Sequence, residues 1–121
     1  RVKECCDVLL INCYPFWEGC PAEHALVYMK EMYRRAQAVA GGKPVMISET
    51  GWPSQGTPFG GAAPSFENAL EYFIRTYQWA EEDGVEIFWF SSFDETWKVG
   101  PEGDVGAYWG LWDTEGKLKF V

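Results

Sequence analysis

Apolar positions along this chain switch repeatedly between two periods. Val8-Leu9-Leu10-Ile11 is an unbroken apolar run of strand length, the pattern of a strand covered on both faces. From Ala25 the apolar residues recur at helical spacing through Met29, Met32, Ala36 and Val39, which predicts an amphipathic helix. Pro21 suits the first turn of that helix, and Gly41-Gly42 ends it. Val45-Met46-Ile47 is a second strand, followed by a loop rich in Gly, Pro and Ser from Pro53 to Pro64. Ser65 then caps a second helix, with Phe66, Leu70, Phe73, Tyr77 and Ala80 along one face. Asp83-Gly84 closes it, and Val85-Glu86-Ile87-Phe88-Trp89-Phe90 is the third strand.

Strands that alternate with helices predict an α/β fold of parallel βαβ units with right-handed crossovers. Three strands are few for a doubly wound sheet, and neither a G-x-G-x-x-G nor a P-loop pattern follows any of them. Nucleotide binding therefore has little support. In a (β/α)8 barrel, chemistry gathers at the carboxyl ends of the strands.

Composition narrows the partners. The 121 residues suffice for one ordinary domain, and a 47% hydrophobic content argues against disorder. A net charge of -8 disfavours nucleic acid and anionic lipid, whereas neutral sugars are not penalised. No apolar run is long enough to insert in a membrane. The chain begins at Arg1 with no signal-like segment, so it is expected to start within a longer protein. Four cysteines stand at positions 5, 6, 13 and 20. Cys5 and Cys6 are too close to bond each other readily. Cys13, Cys20 and His24 lack the paired spacing of a zinc site, so no metal and no cofactor is expected, and the cysteines read as small apolar residues around a buried strand. His24 is expected at the surface near the start of its helix.

The strand ends share one chemical character. The first runs into Asn12-Cys13-Tyr14-Pro15-Phe16-Trp17, the second into Ser48-Glu49-Thr50-Gly51-Trp52-Pro53-Ser54, and the third into Ser91-Ser92-Phe93-Asp94-Glu95-Thr96-Trp97-Lys98. Aromatic faces beside carboxylates suit glycoside hydrolysis, because aromatic rings cover the C–H faces of sugars. A retaining enzyme needs an ionised carboxylate as nucleophile and a second carboxyl group as acid/base, roughly 5 Å apart. Glu49 fits the first role, directly after an apolar strand, with Thr50-Gly51 letting the backbone turn sharply. Tyr14 is placed to donate a hydrogen bond that favours the ionised form. Glu95 would be the partner on this reasoning alone.

Ile47-Ser48-Glu49-Thr50-Gly51-Trp52-Pro53-Ser54 resembles the signature of glycoside hydrolase family 17, in a style closer to its microbial members. That family holds endo-β-1,3-glucanases, licheninase-type enzymes and β-1,3-glucanosyltransferases. Tyr14-Pro15 resembles its sixth-strand tyrosine motif, Phe93-Asp94-Glu95 with Lys98 its eighth-strand segment, and Trp109-Gly110-Leu111-Trp112-Asp113 its closing motif. Four motifs in order make the resemblance specific over nearly the whole chain. It implies that residues 1–121 are the C-terminal segment of a single TIM-barrel catalytic domain, approximately strands six to eight with their helices. It implies β-glucan as substrate and Glu49 as nucleophile with Tyr14 in support. It also implies an acid/base on strand four, in a missing N-terminal part of the barrel. Trp17, Trp52, Phe93, Glu95 and Lys98 become substrate contacts or charge-tuning groups. Glu95 with Lys98 is equally readable as a surface pair, and Trp97, Trp109 and Trp112 as sugar platforms or packing. Where plant members carry an acidic residue before the closing motif, this chain has Asp104-Val105-Gly106-Ala107, and no role is carried over. The expected activity is hydrolysis of β-1,3-glucan with retention. The alternatives are glucanosyl transfer on the same fold, or a catalytically incomplete glucan-binding fragment. By analogy, a polymer-degrading enzyme of this kind is expected to be extracellular or in the cell envelope.

Overall fold

The computed structural model describes residues 1–121. Its regular elements are β1 (Leu9–Asn12), α1 (Ala22–Ala40), β2 (Val45–Thr50), α2 (Phe66–Asp83) and β3 (Ile87–Trp89). The strands form one parallel sheet in the order β1-β2-β3, as the alternation of periods predicts. The helix ends follow the local sequence. Ser65 accepts the Asn68 amide at 2.9 Å, and Gly41 and Gly84 take the left-handed conformation that terminates α1 and α2. Pro21 sits one residue earlier than expected, at the N-cap of α1. His24 is exposed. No helix is long and apolar enough to cross a membrane.

Both helices pack against one face of the sheet and share one core, in which Ala25 and Met29 of α1 meet Ile47 of β2 and Ala69, Tyr72 and Trp79 of α2. Several faces differ from the sequence expectation. Val39 is exposed and Ala40 buried. The buried stripe of α2 is Ala69, Tyr72, Thr76 and Trp79, not the stripe through Phe66 and Tyr77, which are exposed. Hydropathy favours Phe over Thr and Tyr, but Tyr72 is buried with a partner for its hydroxyl: Tyr72 Oη and Thr50 Oγ1 lie 2.7 Å apart in the interior. Nor is β1 covered on both faces. Leu10 is 58% exposed and Phe88 of β3 is 60% exposed, so the face away from the helices is open in this chain. Among the cysteines, Cys13 is buried but Cys5 is exposed, and all four are free thiols.

One irregularity in β2 decides where Glu49 points. On the β1 side the register runs Ile11 to Ile47 and then Asn12 to Glu49, so β2 carries an extra residue. On the β3 side, Ile47 pairs Ile87 and Thr50 pairs Trp89, which requires the same extra residue. The burial of Val45, Ile47 and Thr50 confirms the slip, since strict alternation would bury position 49 instead of 50. A bulge at Ser48–Glu49 therefore turns Glu49 away from the helix-facing core. The Ser48 hydroxyl donates to Asn12 Oδ1 (2.7 Å) and approaches Ile11 O (3.1 Å), bridging β1 where the ladder is interrupted. Glu49 thus lies within the strand rather than after it.

Candidate active site

The end of β2 is locked from below. Phe90 N donates to Thr50 O at 2.7 Å, and a Cβ at Gly51 would stand 1.9 Å from Phe90 O. Gly51 is therefore required for close approach of two backbones, and its φ is not positive, so the expected sharp turn is not its role. Cys13 N donates to Glu49 O at 2.9 Å, tying the same residue to the segment after β1. That segment carries Tyr14 and enters the 3-10 turn Phe16–Glu18.

Above this floor lies a cavity of about 300 Å³ lined by Tyr14, Trp17, Glu49, Phe90, Lys98, Glu102 and Trp109. The Tyr14 hydroxyl donates to Glu49 Oε2 at 2.6 Å, a charge-assisted geometry. Burial, and then the hydrogen bond and charge of Glu49, hold the Tyr14 phenol well above its ordinary range. Tyr14 therefore stays protonated where an ordinary phenol begins to ionise. Its ring packs edge-on against Trp109 and Phe90, which fixes the direction of the hydroxyl. Trp17 tilts against Trp109 with centroids 5.9 Å apart and forms the next part of the wall.

The other expected site residues divide. Lys98 lines the cavity, 4.7 Å above the Phe90 ring, and bonds Glu95 at 3.0 Å. Glu95 is held by that pair and is not part of the cavity wall. Phe93 is exposed, pairs with Trp112 at 5.9 Å, and lies outside the cavity. Trp52, expected as a substrate contact, is 1% exposed. Its indole N–H donates to Ala63 O, and its ring is enclosed by Phe16 and Tyr72, so it fixes the loop and offers no face to a sugar. Trp109 is buried packing that also walls the cavity.

Glu102 is the residue that sequence reasoning missed. No role is carried over to Asp104-Val105-Gly106-Ala107, and Asp104 binds the Thr57 amide and hydroxyl at 2.9 and 2.8 Å and acts as a loop staple. Glu102, two residues earlier, reaches the cavity. Gly106 permits this: a Cβ there would meet Lys98 O at 1.9 Å and Glu102 Cβ at 3.1 Å. Close packing of the turns Thr96–Lys98 and Asp104–Ala107 thus brings Lys98 and Glu102 to one wall. Acidic character just before the closing motif was the available signal; the position depended on the turn.

A carboxylate between aromatic walls at the strand ends of a parallel α/β sheet is an arrangement that carbohydrate-cleaving enzymes use. The chain belongs to the BtgE/BtgC glycoside hydrolase domain family, whose pattern matches residues 1–110. The resemblance to glycoside hydrolase family 17 is borne out as well. A family 17 β-1,3-glucanosyltransferase from Rhizomucor miehei superposes with a TM-score of 0.91 at 32% identity, over 98% of this chain and 43% of that one. An active-site mutant of the same enzyme, in complex with laminaritriose, aligns with a TM-score of 0.91 at 31% identity, again over 98% and 43% of the two chains. A glucan 1,3-beta-glucosidase of Saccharomyces cerevisiae is 28% identical over 127 residues, covering 98% of this chain and 41% of its own length. A Neosartorya fischeri protein described as "Probable beta-glucosidase btgE" is 34% identical over 110 residues, covering 90% of this chain and 19% of its own. The chain therefore spans less than half the length of these relatives.

Proposed function

We propose that residues 1–121 are strands six to eight, with their helices, of one (β/α)8 catalytic domain that hydrolyses β-1,3-glucan with retention of configuration. The observation that carries this reading is Glu49, bulged out of the core into an aromatic cavity with its Oε2 held 2.6 Å from the Tyr14 hydroxyl. The open face bearing Leu10 and Phe88 would be part of the barrel interior. In the first step Glu49 attacks the anomeric carbon, and the bond to the leaving oxygen breaks as that oxygen takes a proton from the acid/base. That group would come from an upstream strand, since Glu95 is held by Lys98 outside the cavity wall. In the second step the same group takes the proton of an incoming water, whose oxygen displaces Glu49 from the sugar. Trp17 would cover a sugar face and Lys98 would bind its hydroxyls; Phe93, exposed at the third strand end, would contact the polymer farther out.

Transfer of the glucosyl chain to a second sugar is a competing outcome of the same intermediate, favoured by the likeness to the Rhizomucor miehei glucanosyltransferase. Product analysis on laminarin distinguishes them, because transfer yields oligosaccharides longer than the substrate. The protein is further proposed to act in the extracellular space or cell envelope, by analogy with other polymer-degrading enzymes. The decisive experiment is Glu49→Gln in the full-length protein. Turnover should fall by several orders of magnitude while glucan binding persists, and a slow substrate with a good leaving group should label Glu49 in the wild type. Near-normal turnover by the variant would end the assignment.

A further inference from the structure

The aromatic wall does not stop at the cavity. From Tyr14, which holds Glu49, ring centroids run to Trp109 at 5.5 Å, on to Trp17 at 5.9 Å, and on to Phe59 at 5.4 Å. Phe59 is not part of the cavity around Glu49, and 47% of its surface is exposed. It lies in the β2–α2 loop, where a tight turn through Gly60-Gly61 pairs Phe59 with Ala62 by two 2.9 Å backbone hydrogen bonds.

This loop is long but fastened along its length. Gly61 N donates to Gly19 O at 3.0 Å, and a Cβ on Gly60 would stand 3.1 Å from Gly19 Cα. Two loops from different strand ends therefore touch backbone to backbone, at positions where a side chain on Gly60 or Gly61 would be tight. Asp104 binds Thr57 on one side of Phe59, and Trp52 and Asn68 bind Ala63 O on the other. The ring is thus held against Trp17 and tilted against Phe16, with its remaining surface turned to solvent at the end of the row. A preordered apolar face joined to the cavity wall through Trp17 would add binding without an ordering cost at the moment of association.

We propose that Phe59 is a specificity-determining residue that packs against a glucose unit remote from the reacting bond, so that it favours longer glucan chains. Its contribution falls on substrates long enough to reach past Trp17 and is absent for the shortest. The inference rests on the reading of the Glu49 cavity as a glucan cleft.

The test measures kcat/KM of the full-length protein on a series of laminari-oligosaccharides of increasing length. Wild-type turnover of the series tests the underlying reading, and the variant-to-wild-type ratio at each length tests Phe59. Phe59→Leu keeps apolar bulk against Trp17 and Phe16 but removes the flat face. It should lower kcat/KM by about three- to tenfold on the longest substrates, leave the shortest unchanged, and leave Tm near wild type. Phe59→Tyr restores a flat ring and should recover the length preference. A ratio independent of chain length, or a length preference kept by Phe59→Leu, would overturn the proposal even where wild-type activity on the series upholds the glucan reading.

Discussion

Tyr14 makes the one side-chain hydrogen bond that Glu49 receives from this chain, so its hydroxyl can be removed with little else disturbed. A hydrogen bond to a charged group contributes about 1.5–3 kcal/mol, which corresponds to roughly 10- to 100-fold in rate if it is used in the reaction. Tyr14→Phe in the full-length protein should lower kcat/KM by that order. An unchanged kcat/KM would make Tyr14 a packing residue. Cys13 offers a second residue-scale test. Burial, with a smaller effect of Glu18, pushes its thiol from 9.0 up to about 11. The folded state therefore keeps a proton that the unfolded chain releases, and the resulting stability is fully present below about pH 9 and is lost as pH rises towards 11. At pH 8 an alkylating reagent should modify exposed Cys5 readily and Cys13 only after denaturation, with peptide mapping as the readout.

At the scale of elements, the closing segment is fastened to the stretch after β3 by a buried ion pair. Lys119 Nζ lies 2.8 Å from Asp94 Oδ1, with the two side chains 5% and 9% exposed. Asp94 also accepts the Gly110 amide at 2.9 Å. A Cβ at Gly110 would collide with Asp94 N at 2.2 Å, so the Trp-Gly-Leu-Trp run depends on that glycine for its approach. Asp94→Ala leaves a buried ammonium and an amide without an acceptor and should destabilise the full-length protein by about 3–5 kcal/mol. Asp94→Asn keeps an acceptor for Gly110 and should fall between the two in denaturant unfolding. Equal losses for Ala and Asn would mean that the charge, not the Gly110 contact, accounts for the whole effect. The Asp104–Thr57 staple has the opposite pH sign to Cys13. Hydrogen bonds from Thr57 lower the Asp104 carboxyl, so its hold on the β2–α2 loop is present above the ordinary carboxylate range and weakens as pH falls.

The whole molecule presents surfaces that a closed barrel would cover. The outer edges of β1 and β3 lack strand partners, since the sheet order is β1-β2-β3. Leu10 and Phe88 face outward from the open side, and an apolar groove of about 230 Å³ lined by Phe73, Tyr77, Ala80, Val85, Ile87 and Trp89 flanks β3. Each large apolar side chain left in water forgoes about 1.5–3 kcal/mol, against a total domain stability of only about 5–15. If the proposed barrel is right, residues 1–121 expressed alone should self-associate or melt without cooperativity, and should not hydrolyse laminarin. Sedimentation, thermal unfolding and product analysis check this together. A cooperative monomer that cleaves laminarin would overturn the incomplete-barrel reading and make Glu102, the second carboxyl group on the cavity wall, the acid/base candidate.

The alternation of elements, the helix caps at Ser65, Gly41 and Gly84, and the carboxylate-bearing strand ends were all legible in the sequence, because each depends on residues within a few positions of one another. Glu49 and Tyr14 could be named for the same reason: each stands beside its own strand and its own motif. What the tertiary structure decided were the facts that depend on two distant backbones. The bulge at Ser48–Glu49 exists only as a slip in register against both β1 and β3, yet it turns Glu49 out of the core. The buried face of α2 runs through Tyr72 and Thr76, and Tyr72 finds a hydroxyl partner in Thr50 of β2, which hydropathy does not register. Gly51 and Gly106 are required by approaching carbonyls of Phe90 and Lys98, not by their own φ angles. Trp52 was buried and Glu102 brought to the cavity by the same long-range packing. Local pattern therefore determined which groups are candidates for the chemistry, and the close contacts between strand-end loops determined which of them face the cavity.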